Sequence, residues 1–236
     1  MPVNHLGQPV GAELPDWTPR TVPPRTAMTG RTCRLEPLDA GRHADDLWQA
    51  ACADTDGRTW TYLPYGPFPD AAALRDFLTG FAASNDPQVH AIIDAATGRA
   101  VGWATYLRID PSNGVIEVGH LWFSPLLART TAATEAMYLM MRRAFDELGY
   151  RRYEWKCNAL NAPSCRAAER LGFTHEGTFR QAVVSRGRNR DTAWYSLLDG
   201  EWPAVKAAFD SWLAEENFDH DGRQKTPLRA AADQRV

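Results

Sequence analysis

Apolar residues recur along the chain with two alternating periods, and the changes of period mark out its elements. Residues 31–38, RTCRLEPL, alternate as a strand does, and AGRHADDLWQACA then places Ala44, Leu47, Trp48 and Ala51 at helical spacing. A second helix is predicted from about Asp70 to Ala83, with Leu74, Phe77, Leu78 and Phe81 on one face. Three strands follow as a meander, VHAIID, VGWATYLRI and VIEVGHLWF, broken by the turns AATGRA and DPSNG. Past Pro125 a loop leads into TEAMYLMMRRAFDELG, where Met137, Met140, Met141, Ala144 and Leu148 form one apolar stripe that Gly149 terminates. RRYEWKC reads as a strand. NALNAPSCRAAERLG reads as a helix with Asn161 as cap, Pro163 in the first turn and Gly172 at its end. FTHEGTFRQAVVS and DTAWYSLL are two further strands about the turn RGRNR, and a last helix follows EWP. A meander followed by alternating strand and helix predicts a mixed α/β sheet.

The ends differ from this middle. Six prolines (Pro2, Pro9, Pro15, Pro19, Pro23, Pro24) interrupt the first thirty residues, which read as an extended arm that Leu14 and Trp17 can anchor. The expected division is an arm over 1–30, one domain over 31–215 and a polar tail over 216–236. Within the domain, RTWTYLPYGPFP (58–69) is dense in aromatics and prolines; such a loop packs on the core or lines a pocket.

Composition narrows the classes. At 236 residues and 44% hydrophobic, the chain can bury one substantial core. No run of eighteen apolar residues is present, and MPVNHLGQPVGAELP lacks the features of a signal peptide, so a cytoplasmic protein without membrane contact is expected. Cys33, Cys52, Cys157 and Cys165 form no CxxC pair, so reduced thiols and no metal site are expected. A net charge of −3 argues against a general nucleic-acid binder, yet residues 142–190 hold eleven Lys/Arg against five Asp/Glu. That surplus is either a solvated face or a dock for a phosphorylated ligand.

Four pieces together resemble the GNAT superfamily of N-acetyltransferases, in the branch of the ribosomal-protein acetyltransferases RimJ and RimL. They are EVGHLWFSP, RTTAATEA, EWKCNALNAPSCRAAERLGF and RDTAWYSLLDGEW. The resemblance spans roughly residues 31 to 215. It implies a central, mostly antiparallel sheet with splayed strands flanked by helices, and direct transfer of an acyl group from acetyl-CoA, as cosubstrate, to an amine. It also implies that Leu121, Trp122 and Phe123 border the acyl-pantetheine arm, with Asn158 and Asn161 hydrogen-bonding it from the other side. The physics of a pyrophosphate site fits the loop and helix start Arg129, Thr130, Thr131, Ala132, Ala133 and Thr134, because a helix N-terminus presents unpaired N–H groups and a positive dipole end. Family members usually carry Gln or Arg, two residues, Gly, one residue, then Gly or Ala there; here the positions hold Ala128, Thr131 and Ala133. Arg129 and the hydroxyls of Thr130 and Thr131 supply charge and donors in their stead, although Thr131 tolerates a positive φ less well than glycine.

Acyl transfer to an amine needs a proton acceptor and a proton donor for the leaving thiolate. Aligned with histone-acetylating members, Glu117 occupies the position of their catalytic base, and His120 is the other titratable candidate. Regular alternation sends these two side chains to opposite faces, so only a bulge would bring them together. Ser164, in the first turn after Asn161, is the expected donor to the thiolate or a coenzyme contact, the bland alternative being a serine that satisfies the helix end. Competing readings are a covalent route through Cys157 or Cys165, an aminoacyl-tRNA donor, and a non-catalytic scaffold. The acceptor (protein N-terminus, lysine, polyamine or small amine) and the choice between monomer and homodimer stay open.

Overall fold

The computed structural model of the chain describes residues 1–230. Its strands are β1 (Met28–Thr29), β2 (Cys33–Pro37), β3 (Gln88–Asp94), β4 (Ala100–Asp110), β5 (Val115–Phe123), β6 (Arg152–Asn158), β7 (Thr174–Ser185) and β8 (Arg188–Leu198). Its helices are α1 (Ala40–Cys52), α2 (Ala71–Ala83), α3 (Thr131–Arg142), α4 (Ala162–Arg170) and α5 (Trp202–Leu213). The strands form one eight-stranded sheet in the order β1-β2-β3-β4-β5-β6-β8-β7. Every neighbouring pair is antiparallel except β5 and β6. A parallel pair needs a crossover connection, and α3 provides it.

Side-chain oxygens cap the helices where the sequence places them. Asp39 accepts from Gly41 N at 2.7 Å, Asp70 from Ala73 N at 2.8 Å, and Asn161 from Ser164 N at 3.3 Å. The sheet buries both faces. Under α3 and α5 lie Tyr106, Ile116, Val118, Met137, Met140, Tyr153 and Phe209; under α1 and α2 lie Leu47, Trp60, Leu74, Leu78, Trp103 and Trp122. Helix α3 begins at Thr131, three residues before its predicted apolar stretch, and continues past Arg142 into a wider π turn over Arg143–Glu147.

One buried carboxylate fastens α3 to the first hairpin. Glu135 accepts hydrogen bonds from the backbone of Arg31 (2.8 Å), Thr32 (2.6 Å) and Cys33 (3.0 Å), and from the Thr32 hydroxyl (2.6 Å). Gly30 sits so close that any Cβ there would collide with the same carboxylate.

The ends pack on this frame. Trp17 donates to Ser112 O at 3.0 Å and covers Gly114, whose φ of 61° and contact with the Trp17 ring both exclude a larger residue. Leu14, in contrast, is 53% exposed and anchors nothing. Leu228 and Ala230, inside the segment expected as a polar tail, are buried in the core under α5. The tail's last positions, 231–236, lie outside the described residues. Among the described residues no helix is long and apolar enough to cross a membrane.

Glu135→Ala is expected to destabilise the fold by about 3 kcal/mol or more, because it leaves several buried donors without an acceptor. Glu135→Gln should cost less, since one oxygen remains. Urea denaturation of the two variants checks the order, and equal stability of wild type and alanine variant would remove Glu135 from this role.

Candidate functional site

Strands β5 and β6 run together for only four residue pairs, from Val115 with Arg152 to Val118 with Trp155. Beyond them β5 stays with β4, through Trp122 opposite Trp103 and Phe123 opposite Gly102, while β6 stays with β8 as far as Asn158 opposite Thr192. Gly119–Phe123 and Lys156–Asn158 therefore face each other across a gap with no ladder between them. The gap opens into a cleft of about 1260 Å³.

A bulge sits where the strands part. Thr105 opposes Gly119 and Trp103 opposes Trp122, so two steps on β4 span three on β5. The extra residue is taken up around His120, whose φ is 48°. A left-handed non-glycine residue costs about 1–2 kcal/mol, and histidine tolerates this region better than bulkier types. The bulge reverses the parity of β5. Glu117 and His120, which strict alternation would separate, both line the cleft.

Their surroundings differ. Glu117 is 6% exposed; Lys156 Nζ donates to its Oε2 at 2.8 Å, and Arg108 Nε lies 3.8 Å from the same oxygen. Burial raises the Glu117 pKa above the usual carboxylate value, and the Lys156 ion pair opposes without cancelling that effect. Lys156 also reaches Glu154 Oε2 at 2.7 Å and stands 3.7 Å above the ring of Trp194. His120 stacks on Tyr65 with ring centroids 5.7 Å apart and planes at 8°, and its Nδ1 lies 3.2 Å from the Tyr65 hydroxyl. Burial, helped by the charge of Arg190, lowers the His120 pKa and keeps the ring neutral near pH 7.

On the opposite wall, Ser164 Oγ accepts from the Trp155 indole at 3.0 Å, which leaves the hydroxyl hydrogen available to another partner. Asn161 caps α4, and Asn158 accepts from Leu160 N at 2.9 Å; both line the cleft. Cys157 and Cys165 come within 3.6 Å of each other, a proximity that their spacing conceals, and burial pushes the Cys157 thiol up.

The predicted residues thus divide. Glu117, His120, Leu121, Arg129, Asn158, Asn161 and Ser164 line the cleft. Trp122 is fully buried between Trp60 and Trp103 and donates to Thr59 at 3.0 Å, and Phe123 packs against the core under α3. At the loop before α3 the left-handed residue is Arg129, with a φ of 66°, and Thr131 is the first residue of the helix. The Thr130 hydroxyl is engaged as the cap, with Leu127 O at 2.7 Å and Ala133 N at 3.2 Å. Ala132, Ala133 and Thr134 are buried, Thr134 accepting from Arg170 at 2.9 Å. Lys156 and the cleft-lining trio Arg190, Thr192 and Trp194 are not among the residues expected at the site, while Tyr65 lies in the aromatic loop expected to pack on the core or line a pocket. Thr192 and Trp194 alternate on the predicted strand DTAWYSLL, whereas Arg190 falls in the expected turn RGRNR and joins their face only because β8 begins at Arg188.

Residues 33–174 match the sequence model of the acetyltransferase (GNAT) domain. The chain is 50% identical to a GCN5-related N-acetyltransferase from Brucella melitensis of known structure, at a TM-score of 0.89 that covers 91% of this chain and 97% of that one. It is 27% identical over 178 residues to YdaF of Bacillus subtilis, provisionally described as a ribosomal N-acetyltransferase, covering 73% of this chain and 92% of YdaF. The fold also matches, at 19% identity and a TM-score of 0.63, the Microcin C7 self-immunity acetyltransferase MccE solved with acetyl-CoA and AMP, covering 72% of this chain and 93% of that one.

Lys156→Met removes the cation that holds Glu117 down, so the Glu117 carboxyl should titrate at higher pH than in wild type. Carbon-detected NMR of the side-chain carboxyls checks this, and an unmoved midpoint would mean that burial alone sets the value.

Proposed function

Because the chain belongs to the GNAT acetyltransferase family, as its resemblance to the RimJ/RimL branch implied, we propose that the β5–β6 cleft is where acetyl-CoA passes its acetyl group directly to a primary amine. The acceptor is a protein N-terminus or a small molecule. The observation that carries the reading is the parting of β5 from β6 at a bulge that turns Glu117 and His120 into one cleft.

The residues present fit acetyl-CoA. Strand edges without a ladder partner on both sides of the gap offer backbone donors and acceptors to an amide-bearing pantetheine arm, as an added strand would use them. The first turn of α3 and Arg129, which has no carboxylate within 4.0 Å among the described residues, suit a pyrophosphate. Bound there, acetyl-CoA supplies a thioester carbon at which the amine forms its C–N bond as the C–S bond breaks. Glu117 takes the proton that the amine sheds, directly or through one water. Its raised pKa makes it a stronger base than a solvated carboxylate, and Lys156 favours its ionised form. His120, neutral and aligned by Tyr65, lines the amine's approach. Ser164 steadies the departing thiolate with a hydrogen bond from its hydroxyl until the thiolate takes a proton from water, while Asn158 and Asn161 hold the arm.

Glu117→Gln should lower kcat roughly 10²–10⁴-fold with acetyl-CoA binding unchanged. Glu117 must be ionised to accept a proton, so the wild-type rate falls as pH drops through its raised pKa. In the glutamine variant that limb is lost, and the amine's own ionisation governs the profile. His120→Ala is the matched comparison: near-normal turnover of the glutamine variant with loss in the alanine variant would reverse the assignment.

Arg129→Ala should raise the KM for acetyl-CoA by an amount worth about 1.5–3 kcal/mol at low salt, with the difference from wild type shrinking as salt is added. Initial-rate kinetics at two ionic strengths test this, and an unchanged KM would put Arg129 outside the donor site.

A further inference from the structure

Three side chains on β8 face the cleft with buried polar atoms that the fold does not satisfy. Arg190, Thr192 and Trp194 are two residues apart, share one face of the strand and line the cleft together. Register carries that face beside the reacting centre, since Trp194 opposes Lys156 and Thr192 opposes Asn158. Among the described residues, Arg190 Nε, Thr192 Oγ1 and Trp194 Nε1 are all buried without a hydrogen-bond partner. Thr192 as a whole is only 6% exposed. Native folds rarely leave buried donors unpaired, and three on one wall of a cleft mark a place for a ligand.

The charges of the cleft say what kind of ligand. Arg58 is paired with Asp56, Lys156 with Glu117 and Glu154, and Arg108 lies within 3.8 Å of Glu117. Arg190 has no carboxylate within 4.0 Å among the described residues. The neighbouring Asp191 is engaged elsewhere, accepting from Gln181 N at 2.7 Å and from Asn189 Nδ2 at 3.0 Å. Arg190 nevertheless sits close enough to the centre for its charge to act on His120. A guanidinium, an indole N–H and a hydroxyl on one wall form a set of donors with a single positive charge. Its complement is an oxyanion, and the planar guanidinium fork matches a carboxylate in two parallel hydrogen bonds. A polyamine, with only further positive charge to offer, is repelled by the same wall.

We propose that the acceptor is an amine that also carries a carboxylate, and that Arg190, with Thr192 and Trp194 beside it, is the subsite that holds that carboxylate. The inference rests on the reading of the cleft as an acetyltransferase site and adds the chemical class of its acceptor. Arg190 determines specificity by orienting the amine toward Glu117. It changes no bond-making step.

The test uses the full chain and a panel of α- and ω-amino acids of two to six carbons, each with its primary amide, together with peptides whose first residues are acidic or the matching amides. Release of coenzyme A thiol gives kcat/KM, and calorimetry in the presence of coenzyme A gives binding. In at least one pair the carboxylate should exceed its amide at least tenfold in kcat/KM. Arg190→Met should erase the difference through the acceptor KM, and Arg190→Lys should restore part of it. Preference for free amino acids, or for acidic peptides, identifies the source of the carboxylate. Equal use of carboxylate and amide across the panel overturns the proposal, as does a preference that survives in Arg190→Met. A preference for phosphoethanolamine over every carboxylate would make the subsite one for phosphate and overturn it too. Failure of the acetyltransferase reading itself shows separately, as absence of acetyl-CoA binding by wild type. In that case the carboxylate probes, titrated calorimetrically against wild type and Arg190→Met, still decide: binding that depends on Arg190 supports the subsite, and no binding overturns it.

Discussion

The extra residue that β5 carries at His120 is the constraint on which the site depends. A bulge increases local twist and breaks the hydrogen-bond ladder on its own strand. Here β5 continues along β4 on the far side of the bulge, and β6 remains tied to β8 through seven residue pairs from Arg152 to Asn158. Each strand follows its own antiparallel partner, so the parallel pair between them ends at Val118 and Trp155. One backbone irregularity thereby does two things. It opens the gap that bares two strand edges, and it shifts the parity of β5 so that a carboxylate and an imidazole share a cleft.

The charges around that cleft show how its buried carboxylate is held. Glu117 and Lys156 are both nearly excluded from water, and a buried ion pair returns little net stability because desolvation takes back most of the attraction. Its value lies in state and position. Burial alone would drive Glu117 toward the neutral form, a poor proton acceptor; Lys156 beside it offsets part of that tendency and fixes the carboxylate's orientation. Glu154 on the other side of Lys156 stays below the usual carboxylate value despite burial, because Lys156 and Arg152 both pair with it. The two carboxylates that share one lysine are thus pushed in opposite directions, and the one with the raised pKa faces the cleft.

Helix α3 is placed by a different device. Apolar contact is non-directional, so the methionines of its stripe leave its axial position less sharply set than a hydrogen bond would. Glu135 removes that freedom, because three amides and a hydroxyl converge on its two oxygens from a turn of fixed shape. The start of α3, with Arg129 in left-handed conformation just before its cap, is fixed in relation to the gap it flanks.

The order of strands and helices from β2 onward, the cap at Asn161, the start of α2 near Asp70, the meander and the family resemblance were legible in the sequence, because periodicity and capping record local backbone geometry. Half of the site residues named from the sequence line the cleft, and they could be named because they lie in contiguous motifs that carry the family resemblance. What local pattern does not carry is register between distant strands. The bulge at His120 leaves no mark in the hydrophobic alternation of VIEVGHLWF, yet it decides that Glu117 and His120 meet. Lys156 reads as an ordinary strand lysine until β8 sets Trp194 beneath it, and Arg190, expected in a turn, meets Thr192 and Trp194 on one cleft wall only because β8 begins at Arg188. Cys157 and Cys165 are likewise brought together only by the packing of α4 on β6. The sequence by itself determined which segments become strands and helices; tertiary structure decided which side chains share a site, because a one-residue shift in pairing moves a side chain to the other face and only contacts between remote segments select the register.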